Sequence, residues 1–337
     1  MHRVNSSPVD RTDSNSASVT PADLLRVAVA VAETAAEHVR VRRPEVFGVM
    51  GARVHGDDGQ SVRAKSTPTD PVTVVDTEAE QLIRGLLAEL RPQDAVLGEE
   101  GGGARDVPEG VRWVVRSDRR DGQLPLRNPA YSVSVAAQID GVSVAGAVVD
   151  VAARVTYSAA KGEGARFVDS GAPDAVVEGN AVVQPITDAS SALLATGFGY
   201  GVERRRAQGK LIAALLPHVR DIRRVGSAAL DLCMVASGRV DAHFEHGLNP
   251  WDWAAGALIA SEAGARVHLP GPDVGGASGE VVLAMAPRHR RRARGRHAVG
   301  GGVRADTVIA KVSSAPCGPR RGARCRAAPA RPRQPDP

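Results

Sequence analysis

The sequence is poor in aromatic residues and in cysteine. Phe, Trp and Tyr make up 3% of its 337 residues, and the three cysteines, Cys233, Cys317 and Cys325, have neither the spacing of a metal site nor that of a disulfide framework. This argues against a disulfide-stapled secreted domain and a cysteine-ligated zinc protein, and a reducing cytoplasm suits the chain. With 43% hydrophobic residues, the chain is long enough to bury a sizeable core.

Long apolar runs are also missing. The first apolar run, LLRVAVAVAETAAEHVRV, is interrupted by Arg26 and Glu33, so it is too polar to span a membrane and predicts an amphipathic surface helix instead. The first twenty residues are polar and show no secretory signal. We therefore expect a disordered leader and no membrane partner.

The positive charge of the chain is confined to its C-terminal end. Residues 288–337 contain thirteen Arg and one Lys against two Asp, so the formal charge of +5 conceals a net charge of −7 over the residues that come before. This tail lacks helical periodicity and interleaved aromatic residues, which argues against nucleic acid as the main partner. A genuine basic tail for RNA or an anionic surface stays as an alternative.

Helix and strand patterns alternate between residues 21 and 287. The spacing predicts helices over 21–43 and again after Asp76 or Thr77, either of which would cap its helix. AVLGEE predicts a short buried strand that ends in acids. Residues 131–168 predict a meander of antiparallel strands that turns at Asp140-Gly141 and near Ala153-Arg154.

This mixture of helices with antiparallel strands indicates an α/β (α+β) fold built as a layered sandwich. We expect three parts: a disordered leader over residues 1–20, a single folded domain over 21–287, and a basic, disordered tail over 288–337.

Three acidic clusters stand at predicted strand ends or helix starts, namely Asp70–Asp76, Glu99-Glu100 and Asp252. Carboxylates without His or Cys partners select hard cations, Mg²⁺ above all. A site of two or three such ions activates a water molecule and neutralises a leaving oxygen. The alternative is that each acid is a solvated loop residue, a turn residue or, for Asp252, an N-cap.

Four segments together resemble the inositol monophosphatase family, in its order and at its spacing. They are TDPVTVVD (69–76), LGEE (97–100), RRVGSAALDLCMVASGRVDAHFE (223–245) and WDWAAGALIASEAGA (251–265). The resemblance covers residues 21–287. It implies an α/β/α/β/α layered sandwich and a homodimer. It also implies Mg²⁺-dependent, Li⁺-sensitive hydrolysis of a phosphate monoester, inositol 1-phosphate, by direct attack of water.

The resemblance also implies roles for individual residues. Glu99 is similar to the glutamate that bridges a metal ion and the attacking water, and Asp252 is similar to the aspartate that binds the second metal ion. Asp76 resembles the outer acid of a further metal position, and Lys65 resembles the basic residue just before it. Glu99 and Asp76 are therefore the candidate catalytic acids. The implied substrate-binding residues are Gly226, Ser227, Ala228 and Glu245, of which the last contacts an inositol hydroxyl.

The central motif of the family, W-V-x-D-P-I-D-G-T, is missing. Trp113 and Pro129-Ala130-Tyr131 align with it without a gap, but Arg116 and Arg119 occupy the two metal-binding aspartate positions. Arg120-Asp121 stands where Gly-Thr is expected. The exchange removes two ligands and repels Mg²⁺, because unit charges ~4 Å apart interact by about 4 kcal/mol at an effective dielectric constant of about 20.

Our hypothesis for this segment is a pair of compensating frameshifts, either in the gene or in its sequencing. The family-like peptide DPIDGTVNFLYGIP, written in codons and read after one inserted cytosine, becomes RSDRRDGQLPLRNP, which is the sequence from Arg116 to Pro129. Loss of one base at the proline restores the frame at Ala130. The tail fits the same hypothesis, since APGIADELG with its following codon, read after one inserted base, becomes APRHRRRARG, the sequence from Ala286.

Two alternatives remain for the missing motif. Asp118 and Asp121 keep the D-x-x-D-G spacing two residues late, and a bulge of two residues would bring them to the metal position. The other alternative is a catalytically inactive family member that binds inositol phosphates or a partner.

Overall fold

The computed structural model of the chain describes residues 19–47, 62–64, 71–118, 130–173 and 175–287. Nearly all of the leader, the tail over 288–337, and the site candidates Lys65 and Asp121 lie outside the described residues. The described helices are α1 (Pro21–Phe47), α2 (Val74–Leu90), α3 (Val202–Leu215), α4 (Ala228–Ala236) and α5 (Pro250–Glu262). The described strands are β1 (Val62–Ala64), β2 (Pro71–Thr73), β3 (Ala95–Gly98), β4 (Val111–Asp118), β5 (Ser132–Ile139), β6 (Val142–Asp150), β7 (Val155–Ala160), β8 (Ala165–Asp169), β9 (Val177–Ala181), β10 (Leu193–Thr196), β11 (Asp221–Arg223), β12 (Ala242–His246), β13 (Arg266–His268) and β14 (Val281–Met285).

Two large sheets and the helices around them form five layers. The first sheet has seven strands in the order β3-β4-β5-β6-β7-β8-β9, and the second has five in the order β11-β10-β12-β14-β13. Helices α1 and α2 cover the outer face of the seven-stranded sheet, α4 and α5 lie between the two sheets, and α3 covers the outer face of the five-stranded sheet. This α/β/α/β/α order confirms the sandwich expected from the sequence.

Strand β4, which lies next to the edge strand β3, is buried on both of its faces. Trp113 and Val115 belong to the core beneath α1 and α2, whereas Val114 belongs to the core beneath α4 and α5. A strand that helices cover on both sides must be apolar on both sides, which is why WVV shows no polar alternation. Because side chains alternate along a strand, Arg116 follows Val114 onto the face that carries α5.

The meander of the seven-stranded sheet follows the turns expected from the sequence. β5 and β6 are joined at Asp140 (φ 50°) and Gly141 (φ 76°), and β6 and β7 are joined through a turn in which Arg154 has a φ of 58°. Consecutive positive φ values are those of the tight hairpin turn that Asp-Gly favours. The two predicted turn positions are therefore confirmed.

The predicted cap of α2, Asp76 or Thr77, is wrong, and so is the alternative interpretation of Asp252 as an N-cap. α2 begins at Val74, so Asp76 lies inside its first turn rather than at its N-cap. α5 is capped by Asn249, and the Asp252 carboxylate reaches back to accept the Asn249 backbone N–H at 2.7 Å. Asp252 thus fills the third position of a capping box, a role that needs the carboxylate one turn after the cap.

Helix α1 is amphipathic, as its sequence indicates. Its buried residues recur at helical spacing and pack on the seven-stranded sheet and on α2: Leu24, Ala28, Val31, Ala32, Ala35, Ala36 and Val39. Within the described ranges, none of the helices is long and apolar enough to span a bilayer.

Candidate active site

The loop that carries Glu99 begins where β3 ends, and the buried acid Glu80 holds its backbone through hydrogen bonds. Glu80, on the inner face of α2, accepts the backbone N–H of Glu100 at 2.7 Å and that of Gly101 at 2.8 Å. Its carboxylate is 2% exposed and is paired with Arg84 at 2.9 Å. Charge-assisted hydrogen bonds of this kind are stronger than neutral ones, so Glu80 determines the path of the backbone around Glu99.

Gly98 permits this close approach. A Cβ atom at Gly98 would overlap the Glu80 carboxylate, so a larger residue there would require the Glu80 side chain to move. Sequence reasoning missed Glu80. The signal was a charged residue within the apolar face of α2, whose other buried positions are Val75, Ala79, Ile83 and Leu87.

Arg116 lies near the end of β4 and is 4% exposed. It pairs with Ser134 in the register of β4 against β5, which runs without interruption from Val111 to Asp118. Asp118 therefore ends the strand opposite Ser132, and the strand pairing shows no bulge up to that point. Between Trp113 and Asp118 the strand therefore contains no inserted residue.

The guanidinium of Arg116 joins two of the predicted metal ligands. Its Nη2 donates to Oε2 of Glu99 at 2.7 Å, and its Nη1 forms an ion pair with Oδ1 of Asp252. Asp252 is 1% exposed and Glu99 is 22% exposed. The structure therefore brings Glu99 and Asp252 to one place, and the cation between them is a side chain of the same protein.

Asp76 approaches the same end of β4 through its backbone. The hydroxyl of Ser117 donates to the backbone carbonyl of Asp76 at 3.0 Å, which ties the first turn of α2 to the residue next to Arg116. The four positions 76, 99, 116 and 252 thus converge where β3 and β4 end and where α2 and α5 begin.

The predicted substrate loop lies at the N-terminus of α4. Gly226 has a φ of 107°, a backbone conformation that favours glycine, and Ala228 is the first residue of the helix. Ser227 is the N-cap, and its hydroxyl accepts the backbone N–H of Leu230 at 3.4 Å. The same hydroxyl lies 3.1 Å from that of Ser132 at the start of β5, so the loop is attached to the strand that pairs with β4.

Glu245 lies in the second sheet, near the end of β12, and is 5% exposed. Its carboxylate packs against Gly197, which follows β10, and a Cβ atom at Gly197 would overlap it. The neighbouring Thr196 donates its hydroxyl proton to the backbone carbonyl of Phe244 at 2.8 Å, which holds β10 and β12 together beside Glu245.

A separate cavity of about 340 Å³ lies beside α4, lined in part by Val225, Leu230 and Tyr157. Burial raises the pKa of Asp150 and that of Tyr157, both of which line it. The predicted site residues are not among those that line this cavity. It is therefore distinct from the carboxylates that meet Arg116.

The described residues contain no group of three or more His, Cys, Asp or Glu side chains placed to hold a metal ion. Glu99 and Asp252 converge, but a guanidinium lies between them. A pair of carboxylates neutralised in this way is a poor donor set for a divalent cation, which needs several oxygen ligands directed at one point.

The fold is a layered α/β/α/β/α sandwich with acids at the ends of β3 and β4, and comparison with known proteins identifies its family. The sequence model of the Inositol monophosphatase family matches residues 21–296. The chain belongs to this family, whose members are phosphatases.

The similarity to individual proteins is extensive. Inositol-1-monophosphatase SuhB of Mycobacterium tuberculosis (strain ATCC 25618 / H37Rv) is 54% identical over 275 residues, which cover 79% of this chain and 90% of that protein. Nus factor SuhB of Escherichia coli (strain K12) is 35% identical over 233 residues, covering 68% and 83%. The solved structure of Mycobacterium tuberculosis SuhB superposes with a TM-score of 0.61 at 46% identity, covering 80% of this chain and 92% of that one.

Proposed function

We propose that this chain is by descent a phosphatase that hydrolyses inositol 1-phosphate to inositol and phosphate, and that its reaction is impaired by the residues at 116–121. The observation that carries the proposal is the position of Arg116, whose guanidinium pairs with both Glu99 and Asp252. The substrate is supported by the family and by the name of the relative that is 54% identical.

In this proposal each predicted residue keeps its role from the family resemblance. Glu99 and Asp76 are the catalytic acids, and Glu99 with Asp252 would bind metal in an unimpaired chain. The segment 226–228 and Glu245 bind the substrate. The start of α4 suits a phosphate, because the free N–H groups of a helix N-terminus favour an anion, and the Glu245 carboxylate suits an inositol hydroxyl because it accepts hydrogen bonds.

The cofactor that the family implies is Mg²⁺, and the residues present do not fit it. Glu99 and Asp252 already share a cation, and the position of the first motif aspartate holds that cation. The second motif position, Arg119, and the slipped-register aspartate Asp121 lie outside the described residues, and of Asp118 the structure describes the backbone only. The impairment we propose therefore lies at the binding of the ion.

Four further properties belong to the same proposal. The family resemblance supports a homodimer and sensitivity to Li⁺, and the three cysteines without disulfide spacing support a cytoplasmic location. We keep the domain boundaries at residues 20 and 287; the family match begins at residue 21 and ends at residue 296, nine residues beyond the second boundary.

A role other than hydrolysis is the second candidate. Relatives from Escherichia coli and Vibrio cholerae carry the name Nus factor SuhB at 35% and 37% identity. An inactive member of the family that binds inositol phosphates or a protein partner agrees with these names and with the Arg116 pairing. Binding of nucleic acid by the basic tail is a third candidate, supported by the charge of residues 288–337 alone.

The decisive experiment compares this chain with a frame-restored chain in which residues 116–129 are replaced by DPIDGTVNFLYGIP. Phosphate release from inositol 1-phosphate is measured with Mg²⁺ present. We expect phosphate release by the restored chain to be faster by more than about a hundredfold. Replacing residues that only hydrogen-bond to metal ligands already lowers metal affinity or activity about 10–100-fold, and here the ligands themselves are replaced. Equal rates would refute the impairment.

Two controls separate the candidates. Glu99→Gln and Asp252→Asn in the restored chain should abolish its activity, whereas deletion of residues 288–337 should leave it unchanged. If only the tail deletion abolished a measurable function, the nucleic-acid candidate would replace the phosphatase. The nucleotide sequence across codons 113–131, together with mass spectrometry of the native peptide, tests the frameshift hypothesis itself.

A further inference from the structure

We propose that the Arg116 guanidinium is a built-in cation that holds Glu99 and Asp252 together in the place of a divalent ion, so that this end of the fold forms without metal and excludes Mg²⁺. The inference deepens the proposed function at the same site and rests on its assignment of Glu99 and Asp252. It concerns what holds the two carboxylates, not how fast an ester is hydrolysed.

The contacts of the guanidinium suit this role. Each of its two terminal nitrogens takes a different carboxylate, Nη2 that of Glu99 and Nη1 that of Asp252. The second oxygen of Asp252 accepts the Asn249 backbone N–H, so the same carboxylate also completes the capping box of α5. Arginine is well matched to carboxylates, because its planar fork presents several donors at fixed angles.

The position of the side chain is imposed by the strand. Arg116 follows Val114 on the face of β4 that carries α5. The uninterrupted register with β5 pairs it with Ser134 and so fixes its position along the strand. The guanidinium is nearly fully buried, at 4% exposure. An arginine buried to that extent must be paired with acids, and the acids that converge there are the two that the family resemblance assigns to metal.

The charges of the three groups explain why a metal ion would be excluded. Two carboxylates and one guanidinium carry a net charge of −1, and adding Mg²⁺ would change the net charge of these groups to +1. Repulsion between the ion and the guanidinium lowers Mg²⁺ affinity by about a thousandfold or more, taking the interaction of two unit charges at ~4 Å as the lower bound. Mg²⁺ also demands near-octahedral oxygen ligands, and Arg116 supplies none.

The test uses binding of Mn²⁺, an electron-paramagnetic stand-in for Mg²⁺, and thermal melting. The unaltered chain is compared with Arg116→Asp and with a control, Arg91→Met. The control breaks another arginine–carboxylate pair, that of Arg91 and Asp94, which follows the C-terminal end of α2. We expect no saturable Mn²⁺ binding by the unaltered chain or by Arg91→Met, and the same Tm with EDTA and with Mg²⁺. Arg116→Asp should bind Mn²⁺, and its Tm should rise with Mg²⁺, because a ligand that binds only the folded state stabilises it.

Saturable Mn²⁺ binding by the unaltered chain, abolished by Glu99→Gln or Asp252→Asn, would overturn the inference. If Arg116→Asp does not fold, Arg116→Met replaces it, and the titration of the unaltered chain still decides. The readout is also independent of phosphate release. If the unaltered chain excludes Mn²⁺ yet hydrolyses inositol 1-phosphate, this inference stands and the proposed impairment is refuted. If it binds Mn²⁺ yet is inactive, this inference is refuted and the proposed impairment stands.

Discussion

The two sides of the candidate site are held together by different chemistry. Beside the seven-stranded sheet, Glu99 and Asp252 are joined by the charged guanidinium of Arg116. At the start of α4, the neutral hydroxyls of Ser132 and Ser227 meet at 3.1 Å. The first side depends on Arg116, which departs from the family pattern. The second side includes Ser227, which matches that pattern. A chain can therefore lose the charges of a metal site while the fold around that site persists, because backbone register and helix caps do not depend on the ion.

The largest effect is expected from Arg116→Met, which breaks the charged side and keeps much of the apolar stem. The buried Asp252 and the partly exposed Glu99 would lose their cation, and breaking a buried ion pair by removing one partner costs about 3–5 kcal/mol in the free energy of unfolding. Urea denaturation of the two chains measures the difference.

The matched control for this prediction is Arg26→Met, which removes an arginine from the exposed pair with Asp23 on α1. We expect no measurable change, because exposed pairs contribute little. An equal loss in both variants would mean that the Arg116 contacts contribute nothing specific to the fold.

A smaller effect is expected from Glu80→Gln, which keeps the shape of the side chain that holds the Glu99 loop but removes its charge. The carboxylate accepts two backbone N–H groups and the Arg84 guanidinium, and hydrogen bonds to charged groups contribute about 1.5–3 kcal/mol. Hydrogen exchange of the Glu100 and Gly101 amides should become faster. Glu89→Gln, at an exposed position of the same helix, should leave both amides as they are.

The smallest effect is expected on the neutral side. Ser227→Ala removes the N-cap of α4 and the contact with Ser132, at a cost of about 1 kcal/mol. Ser132→Ala removes that contact and leaves the cap, so it should cost less than Ser227→Ala. Thermal denaturation of both single variants and the double variant measures the coupling, and strictly additive losses would show that the two hydroxyls do not interact.

Much of the fold was predictable from local pattern. The Asp-Gly turn at 140–141, the meander it begins and the amphipathic helix α1 are each specified by residues close together in sequence, and all are confirmed. The two cap positions failed for a common reason. Asp76 and Asp252 are acids near a helix start, and an acid stabilises the first turn from several positions, so its presence does not identify the cap itself.

Less of the site was predictable. The positions of Glu99 and Asp252 followed from the resemblance, and the structure brings them together. Glu80 was missed because the charge within the apolar face of α2 shows that the residue is unusual but does not identify the backbone N–H groups of Glu100 and Gly101 that it accepts. Sequence reasoning placed Arg116 at a metal position and inferred repulsion of Mg²⁺, but it assigned the guanidinium no partner.

By itself, the sequence determined the layered architecture, the family and the departure of residues 116–121 from its central motif, since each is recorded in residue types at fixed spacing. Only the tertiary structure decided what the departure does. The register of β4 and the start of α5 place Arg116 between Glu99 and Asp252. These two acids are more than a hundred residues apart in the sequence. Whether the Arg116 guanidinium only repels Mg²⁺ or also takes its place depends on its distance from the two carboxylates and on its burial. Both are properties of the folded chain.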